Sequence, residues 1–210
     1  MDATQDGERL EIGERGPSVF VHRTSRRAPS ATAVLRALLA DRAEVPADDI
    51  ELDWSCPECG ARHAAPAIGY PTTASGGRWF GDAAVGPGIG IAVVDRRHPV
   101  GVAVESTDLV DHAAIDLAAF HPLERRALDA LDPGARRVAR AELWARKAAL
   151  LRVVGHTRFV EPSRLALSMP DGGPGRIERS VPEFDALGAT PELHGLPAGG
   201  GWVAALAVLA

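Results

Sequence analysis

The feature that most constrains the fold of this chain is the run of residues 135–155, ARRVARAELWARKAALLRVVG. Its apolar residues recur at helical spacing and its arginines surround them, which predicts one long amphipathic helix. The apolar stripe consists of Val138, Leu143, Leu150, Leu151 and Val154. Pro133 and Gly134 precede the run, and Gly155 lies where a helix C-terminus favours a residue that can adopt left-handed backbone. We therefore expect the rest of the chain to pack around this helix.

The length and the net charge of the chain limit the classes of protein to which it can belong. The 210 residues are enough for one domain or two small ones. A net charge of -5 without a dominant basic stripe argues against nucleic-acid binding. Residues 1–16 are too charged for a secretory signal, and no apolar run approaches the ~18 residues that a membrane span needs. We expect a soluble, cytoplasmic monomer that does not bind membranes.

Two parts of the chain show the same order of predicted elements: a strand, a helical region, an alternating strand and an apolar strand. The first part has strands at 18–22, 50–54 and 89–95 and a helix at 31–42; the second has strands at 100–105, 164–168 and 202–209 and helices at 108–120 and 135–155. Residues 56–77 are predicted to form a loop because they are rich in Gly, Pro, Ala and Thr. This order suggests two α+β halves packed face to face, although two copies are too few to establish a repeat. A cleft between such halves is a common ligand site.

The two cysteines lie close together in the sequence. Cys56 and Cys59 form a C-x-x-C pattern that can supply half of a zinc site, and His63 could add a third ligand. A structural zinc needs a fourth ligand, usually from a second cluster, and the sequence shows none. A disulfide is disfavoured in the cytosol. The pattern therefore favours a reduced, structural pair of thiols over a metal site.

Seven short segments follow one another from residue 35 to residue 208. They are LRALLA (35–40), VPADDIEL (45–52), CPECGARHAAP (56–66), VGVAVE (100–105), FHPLE (120–124), WARKAALLRVVG (144–155) and GWVAALAV (201–208). In order and spacing they resemble the Sfp-type phosphopantetheinyl transferases, and this resemblance extends over almost the whole chain from about residue 26. The resemblance implies an α+β fold of two pseudo-twofold-related halves, residues 1–99 and 100–210, each a small antiparallel sheet packed on a long helix. Such enzymes bind coenzyme A and magnesium between the halves and transfer phosphopantetheine to a serine of an acyl or peptidyl carrier protein.

The resemblance also implies roles for five residues at matching positions. Glu105 belongs to the strand motif that holds magnesium, and it is expected to act as metal ligand and catalytic residue. Lys147, in the long helix, is the second expected catalytic residue. Arg152, His63 and Trp144 are expected to complete the coenzyme A site.

The chain departs from the family pattern where the family binds its ligands. Ala103 and Ala148 stand at positions where the family has two further carboxylates. Residues 64–66, AAP, replace the Gly-Lys-Pro that follows the histidine, and residues 82–86, DAAVG, stand near the position of a Ser-His pair. Magnesium usually takes one or two carboxylates plus substrate phosphates, so Glu105 alone is the minimum. We therefore expect the magnesium and coenzyme A site to be largely lost.

Three functions are compatible with these departures. The favoured hypothesis is a repurposed scaffold of natural-product biosynthesis, a cyclase or isomerase that acts on a free or carrier-tethered intermediate. An apolar site would favour the acid form of Glu105 for acid–base chemistry, and Lys147 would stabilise an oxyanion. The alternative is a working transferase in which Glu105 holds magnesium while Lys147 and Arg152 neutralise phosphate charge. The third is a non-catalytic protein that binds carrier proteins.

Overall fold

The computed structural model of the protein describes residues 7–12, 16–23, 30–56, 59–108, 113–155, 160–185 and 188–210. Within these ranges the fold is mixed α+β with several small antiparallel sheets. The strands are β1 (Gly7–Glu11), β2 (Ser18–Arg23), β3 (Glu51–Asp53), β4 (Ala67–Tyr70), β5 (Phe80–Gly86), β6 (Ile89–Asp95), β7 (Val100–Ser106), β8 (Ala166–Leu167), β9 (Ile177–Arg179), β10 (Pro191–Gly199) and β11 (Trp202–Leu209). The helices are α1 (Ala31–Ala43), α2 (Ala113–Ala119), α3 (Pro122–Asp129), α4 (Pro133–Val154) and α5 (Pro182–Asp185), with 3-10 turns at Ala47–Asp49 and Pro162–Arg164.

Two antiparallel sheets lie at the centre of the fold, with strand orders β1-β2-β6-β5 and β10-β11-β7. Because side chains alternate along a strand, one face of each sheet points towards the other sheet. These inner faces form one apolar cluster, which includes Val19, Val21, Ile89, Ile91, Val93, Val102 and Leu206. The cluster fills the space between the sheets, where the sequence analysis predicted a cleft between two halves. Every residue of β6 is buried, which accounts for the apolar run at 89–94, since its other face packs on α1.

The two long helices cover the outer faces of the sheets. α1 packs on the first sheet through buried Leu35 and Leu39, and α4 packs on the second through buried Leu143 and Leu150. The approach of α4 to β7 is close, because a Cβ atom at Gly101 would lie 2.4 Å from the Ala149 carbonyl oxygen. The molecule therefore has four layers in the order helix, sheet, sheet, helix.

Local signals at both ends of α4 explain its length. Asp132 caps the first turn, since its carboxylate accepts hydrogen bonds from the backbone N–H groups of Gly134 (3.0 Å) and Ala135 (3.1 Å). At the other end Gly155 adopts φ +75°, a conformation that favours glycine. The prediction of a helix at 135–155 is therefore confirmed, with a start two residues earlier. No helix in the described part of the chain is long and apolar enough to cross a membrane.

The burial of α4 differs from the predicted stripe. Val138 is 42% exposed, whereas Arg140 and Arg146, predicted to flank the stripe, are 9% and 4% exposed. The arginines are covered because each has a partner on a neighbouring segment: Arg140 pairs with Asp116 of α2, and Arg146 bonds the Gly173 carbonyl oxygen. Helical periodicity alone does not reveal these partners.

Several elements differ from the sequence prediction. The predicted loop at 56–77 contains β4, and the predicted strand at 164–168 is a 3-10 turn followed by the two-residue β8. The predicted helix at 108–120 is seen as α2, and residues 109–112 lie outside the described part. β5, β10 and α3 have no predicted counterpart. β10 contains two prolines and two glycines, which an edge strand tolerates but which hide a strand in the sequence.

Candidate functional site

Lys147, predicted to be catalytic, is fully buried and bonded to four oxygen atoms. Its Nζ atom donates to Glu124 Oε2 (2.6 Å) and to the carbonyl oxygens of Ala119 (2.9 Å), Pro162 (2.9 Å) and Leu165 (2.7 Å). An ammonium group has three protons, so these four acceptors use its whole donor capacity. Lys147 therefore has no donor left for a substrate, and its geometry argues against the predicted catalytic role.

Glu124 completes this internal network. Its Oε2 atom also accepts from the backbone N–H of His121 (2.7 Å), and its Oε1 atom accepts from the backbone N–H of Leu167 (2.8 Å). Burial lowers the pKa of Lys147, and the Glu124 carboxylate opposes that shift. The pair thus joins α3, α4 and β8 into one unit.

Arg152, predicted to bind a coenzyme A phosphate, is paired with an internal carboxylate. Its Nε atom donates to Asp82 Oδ2 (2.7 Å), and its second guanidinium nitrogen donates to Asp82 Oδ1. Asp82 is fully buried on β5, and its Oδ2 atom also accepts from the backbone N–H of Val102 (2.9 Å). Burial raises the pKa of Asp82, against the opposing effect of the Arg152 hydrogen bonds. The guanidinium and the carboxylate form a bidentate ion pair, and arginine binds phosphate with the same geometry.

Glu105 lies near the end of β7, directly opposite Val203 on β11, and is half-buried. Burial raises the pKa of its carboxyl group, and a hydrogen bond from the Trp144 side chain partly opposes this shift. The Trp144 ring packs edge-on against Phe120, with 6.4 Å between ring centroids. The predicted site residues Glu105 and Trp144 therefore come together, with the indole beside a carboxyl group whose pKa is raised by burial.

Ala103 and Ala148 belong to the same part of the molecule. Ala103 is on the same face of β7 as Glu105 and is 5% exposed, and Ala148 packs on the same apolar cluster from α4. We call the facing residues Ala103, Glu105, Trp144 and Ala148 the β7–α4 surface. Strand alternation puts positions 103 and 105 on one face of β7, as expected, whereas Lys147, expected to be catalytic beside Glu105, is buried against Glu124.

The described residues do not fit the coenzyme A and magnesium that the family resemblance implies. Magnesium prefers oxygen ligands, and the β7–α4 surface offers one carboxyl group whose pKa is raised, beside two methyl groups. The two cations expected to meet phosphate, Lys147 and Arg152, are held in internal ion pairs.

His63, also predicted to bind the cofactor, lies beside the two cysteines. Its Nε2 atom is 3.2 Å from Cys59 Sγ, and the ligand atoms of His63, Cys59 and Cys56 all lie within 4.8 Å of one another. Both cysteines are free thiols. The sequence named His63 as a possible third ligand but favoured a structural thiol pair, and the structure places the imidazole and both sulfur atoms together.

A cavity of about 400 Å³ lies between α4, residues 172–174 and the β10–β11 hairpin, and the sequence analysis missed it. Its polar lining includes Glu142, Arg146 and His194. One guanidinium nitrogen of Arg146 bonds the Gly173 carbonyl oxygen at 3.0 Å, and the other has no hydrogen-bond partner among the described residues. The four-residue spacing of Glu142 and Arg146 could have indicated a shared helix face. No signal in the sequence pointed to His194, because β10 was not predicted.

Comparison of the chain with protein-family models and with curated proteins gives no match. The family resemblance therefore depends on the order of the motifs in the sequence. Of the five predicted site residues, the structure brings Glu105 and Trp144 together, joins His63 to the cysteines, and holds Lys147 and Arg152 in internal ion pairs.

Proposed function

We propose that this chain is a divergent member of the phosphopantetheinyl transferase superfamily that has lost the magnesium and coenzyme A site. In this proposal the β7–α4 surface carries out acid–base chemistry, a cyclisation or an isomerisation, on a free or carrier-tethered intermediate of natural-product biosynthesis. One observation carries the proposal: the expected phosphate-binding cations are neutralised internally, while Glu105 is a half-buried carboxyl group with a raised pKa. Perturbed carboxyl groups of this kind are typical of acid–base catalysts.

The order of strands supports the superfamily scaffold. Along the chain, β2, α1, a 3-10 turn, β3, β5 and β6 are followed by β7, α4, a 3-10 turn, β8, β10 and β11. In the first sheet the neighbours are β2-β6-β5, and in the second they are β7-β11-β10. In each set the first strand (β2 or β7) pairs with the last strand (β6 or β11). That last strand also pairs with the strand before it in the set (β5 or β10). This repetition favours two pseudo-twofold-related halves, residues 1–99 and 100–210.

The ion pair of Arg152 supports the loss of coenzyme A binding. Phosphoryl transfer requires cations that face the phosphates. A pyrophosphate that recruited Arg152 would have to displace Asp82, whose side chain is fully buried. Breaking a buried pair of this kind generally costs about 3–5 kcal/mol. A phosphate ligand would therefore compete with a carboxylate that the fold already holds in place.

The environment of Glu105 favours a proton-transfer reaction on an uncharged substrate. The acid form of Glu105 can donate a proton to a substrate oxygen or carbon, and the resulting carboxylate can take one back from another substrate atom, so that the enzyme returns to its starting state. The Trp144 side chain bonds the carboxyl group and would stabilise its ionised form between these steps. The methyl groups of Ala103 and Ala148 offer no charge to the substrate. Lys147 takes no part in this scheme.

Two measurements test the loss of transferase chemistry. The first is calorimetry with coenzyme A, with and without Mg²⁺, and the second is mass spectrometry of acyl and peptidyl carrier proteins incubated with the protein, coenzyme A and Mg²⁺. We expect background heat and unmodified carrier proteins. A carrier serine that gains phosphopantetheine at a rate above the protein-free control would establish the transferase alternative and refute the proposal.

The acid–base role is tested by exchange of substrate protons. Free and carrier-tethered polyketide intermediates are incubated with the protein in D₂O, and deuterium incorporation and isomer ratios are followed by NMR. Glu105→Gln is expected to abolish turnover, because an amide cannot exchange a proton in this way. Glu178→Gln, at an exposed position on β9, is the matched control and should keep the wild-type rate. Equal rates for the wild type and Glu105→Gln would refute the role of Glu105.

A further inference from the structure

The three side chains Cys56, Cys59 and His63 have the separations of a nearly formed metal site. Their ligand atoms lie within 4.8 Å of one another, and Cys59 Sγ is 3.2 Å from His63 Nε2. In a tetrahedral zinc site, Zn–S bonds of about 2.3 Å and Zn–N bonds of about 2.0 Å place neighbouring ligand atoms roughly 3.5–3.8 Å apart. Small side-chain rotations would therefore bring all three atoms to ligand distance from one ion.

The backbone of this loop holds the side chains in place. The Cys56 N–H donates to the Ala61 carbonyl oxygen (3.0 Å), and the Gly60 N–H donates to the Cys56 carbonyl oxygen (2.8 Å). Gly60 has φ +73°, which lets the chain turn back immediately after Cys59. Cys56 is buried whereas Cys59 is exposed, so an ion can enter from the solvent side. Main-chain bonds thus connect Cys56 with Gly60 and Ala61.

The donor set selects the metal. Thiolate and imidazole ligands favour Zn²⁺, whereas Mg²⁺ prefers oxygen ligands. We propose that Cys56, Cys59 and His63 bind one Zn²⁺ ion per chain, with the fourth tetrahedral position left for water or another ligand. Binding exchanges the two thiol protons for the metal and releases them to solvent.

The site would also fix the loop against α4. The Arg152 guanidinium donates to the Ala64 carbonyl oxygen (3.3 Å), and the Ala65 N–H donates to the Arg152 carbonyl oxygen (3.4 Å). The two loop residues that make these bonds directly follow His63 in the sequence. A zinc ion would therefore connect the segment before β4 to the end of the long helix, and it should raise the thermal stability of the protein.

The test uses the reduced, full-length chain after removal of metal by a chelator. Zn²⁺ is titrated against a chromophoric chelator, and Co²⁺ is titrated while its absorption spectrum is recorded. We expect one ion per chain, a thiolate-to-cobalt charge-transfer band, and a higher melting temperature with Zn²⁺. His63→Ala should weaken Zn²⁺ binding by about tenfold or more, and Cys59→Ser should remove most of the charge-transfer band. His98→Ala, in the turn between β6 and β7, is the matched control and should bind like the wild type.

Several results would overturn this assignment. Failure of the reduced wild-type protein to bind Zn²⁺ would do so, as would wild-type affinity in both Cys59→Ser and His63→Ala. One ion per two chains would show a bridge between molecules and not a site within one chain. Cys56 is buried, so Cys56→Ser could lose stability for other reasons, and the exposed Cys59 is therefore the primary variant. Glu105→Gln should bind Zn²⁺ like the wild type, so this test is independent of the proposed acid–base function.

Discussion

Asp82 of β5 accepts hydrogen bonds from two nitrogen atoms of Arg152 on α4 and a further bond from the backbone N–H of Val102 on β7. β5 is the edge of one central sheet and β7 is the edge of the other. A single buried carboxylate therefore joins both sheets to the long helix. The same carboxylate neutralises the guanidinium that the family resemblance assigns to a phosphate.

Replacing Asp82 with Ala should lower the free energy of unfolding by about 3–5 kcal/mol, because it leaves the guanidinium of Arg152 partly buried without its counter-charge. Urea denaturation measures the change. The matched control is Asp41→Ala, which removes the exposed pair with Arg9 at 3.0 Å and should cost less than about 1 kcal/mol. Equal losses in the two variants would contradict a structural role for the Asp82 pair.

Replacing Lys147 with Met should also lower the free energy of unfolding by about 3–5 kcal/mol, since Glu124 would remain buried without its cation. The control is Arg164→Met, which removes an ion pair to Glu183 whose side chains are 47% and 30% exposed, and it should lower the free energy of unfolding much less. Chemical denaturation measures the loss of unfolding free energy in both variants. A Lys147→Met variant with unchanged stability and lost turnover would instead favour the catalytic role predicted from the sequence.

The raised pKa of Glu105 predicts a pH-dependent difference in stability. An acid whose pKa is raised by folding contributes stability below its unfolded pKa, and this contribution is lost as the pH rises through its folded pKa. Gln resembles the protonated acid at every pH. Glu105→Gln should therefore gain stability relative to the wild type as the pH rises from below the ordinary Glu pKa to neutrality. Urea midpoints of both proteins at acidic and neutral pH measure this; a difference that is constant or falls with pH would contradict it.

Introducing two carboxylates into the β7–α4 surface should create magnesium binding if the proposed alignment with the transferase family is right. The double variant Ala103→Asp with Ala148→Glu is expected to melt at a higher temperature in the presence of Mg²⁺, whereas the wild type should show no such shift. Without the ion the variant should be less stable than the wild type, because position 103 is 5% exposed and a buried charge is costly. Ala103→Asn with Ala148→Gln is the isosteric control. If Mg²⁺ leaves the melting temperature of the double variant unchanged, the alignment of these positions is wrong.

The sequence predicts the elements whose periodicity is unbroken. α4, β6 and β11 follow directly from helical spacing or from continuous apolar runs, and all three lie close to their predicted bounds. β10 was not predicted because its prolines and glycines are typical of a loop. It nevertheless pairs along most of its length with β11. Pairing with a partner strand outweighs the weak local preference in this case.

Local sequence patterns predict the candidate site only in part, for the same reason. Strand alternation places Ala103 and Glu105 on one face of β7 without tertiary information, whereas the contact of Trp144 with Glu105 depends on the packing of α4 on this sheet. The direction of Lys147 could not be predicted, because its anionic partner Glu124 lies on α3, a helix that the sequence did not reveal. Asp82 likewise belongs to the unpredicted β5. Partners that are distant in sequence are visible only after the fold is known.

Lys147 is also the only lysine in the sequence. Because its amino group is enclosed, the folded chain offers no lysine side chain to acylating reagents or to enzymes that attach groups to lysine amines. The same amine becomes reactive when α3 and α4 separate. Covalent labelling of this one position would therefore report opening of the core directly, without any engineered probe.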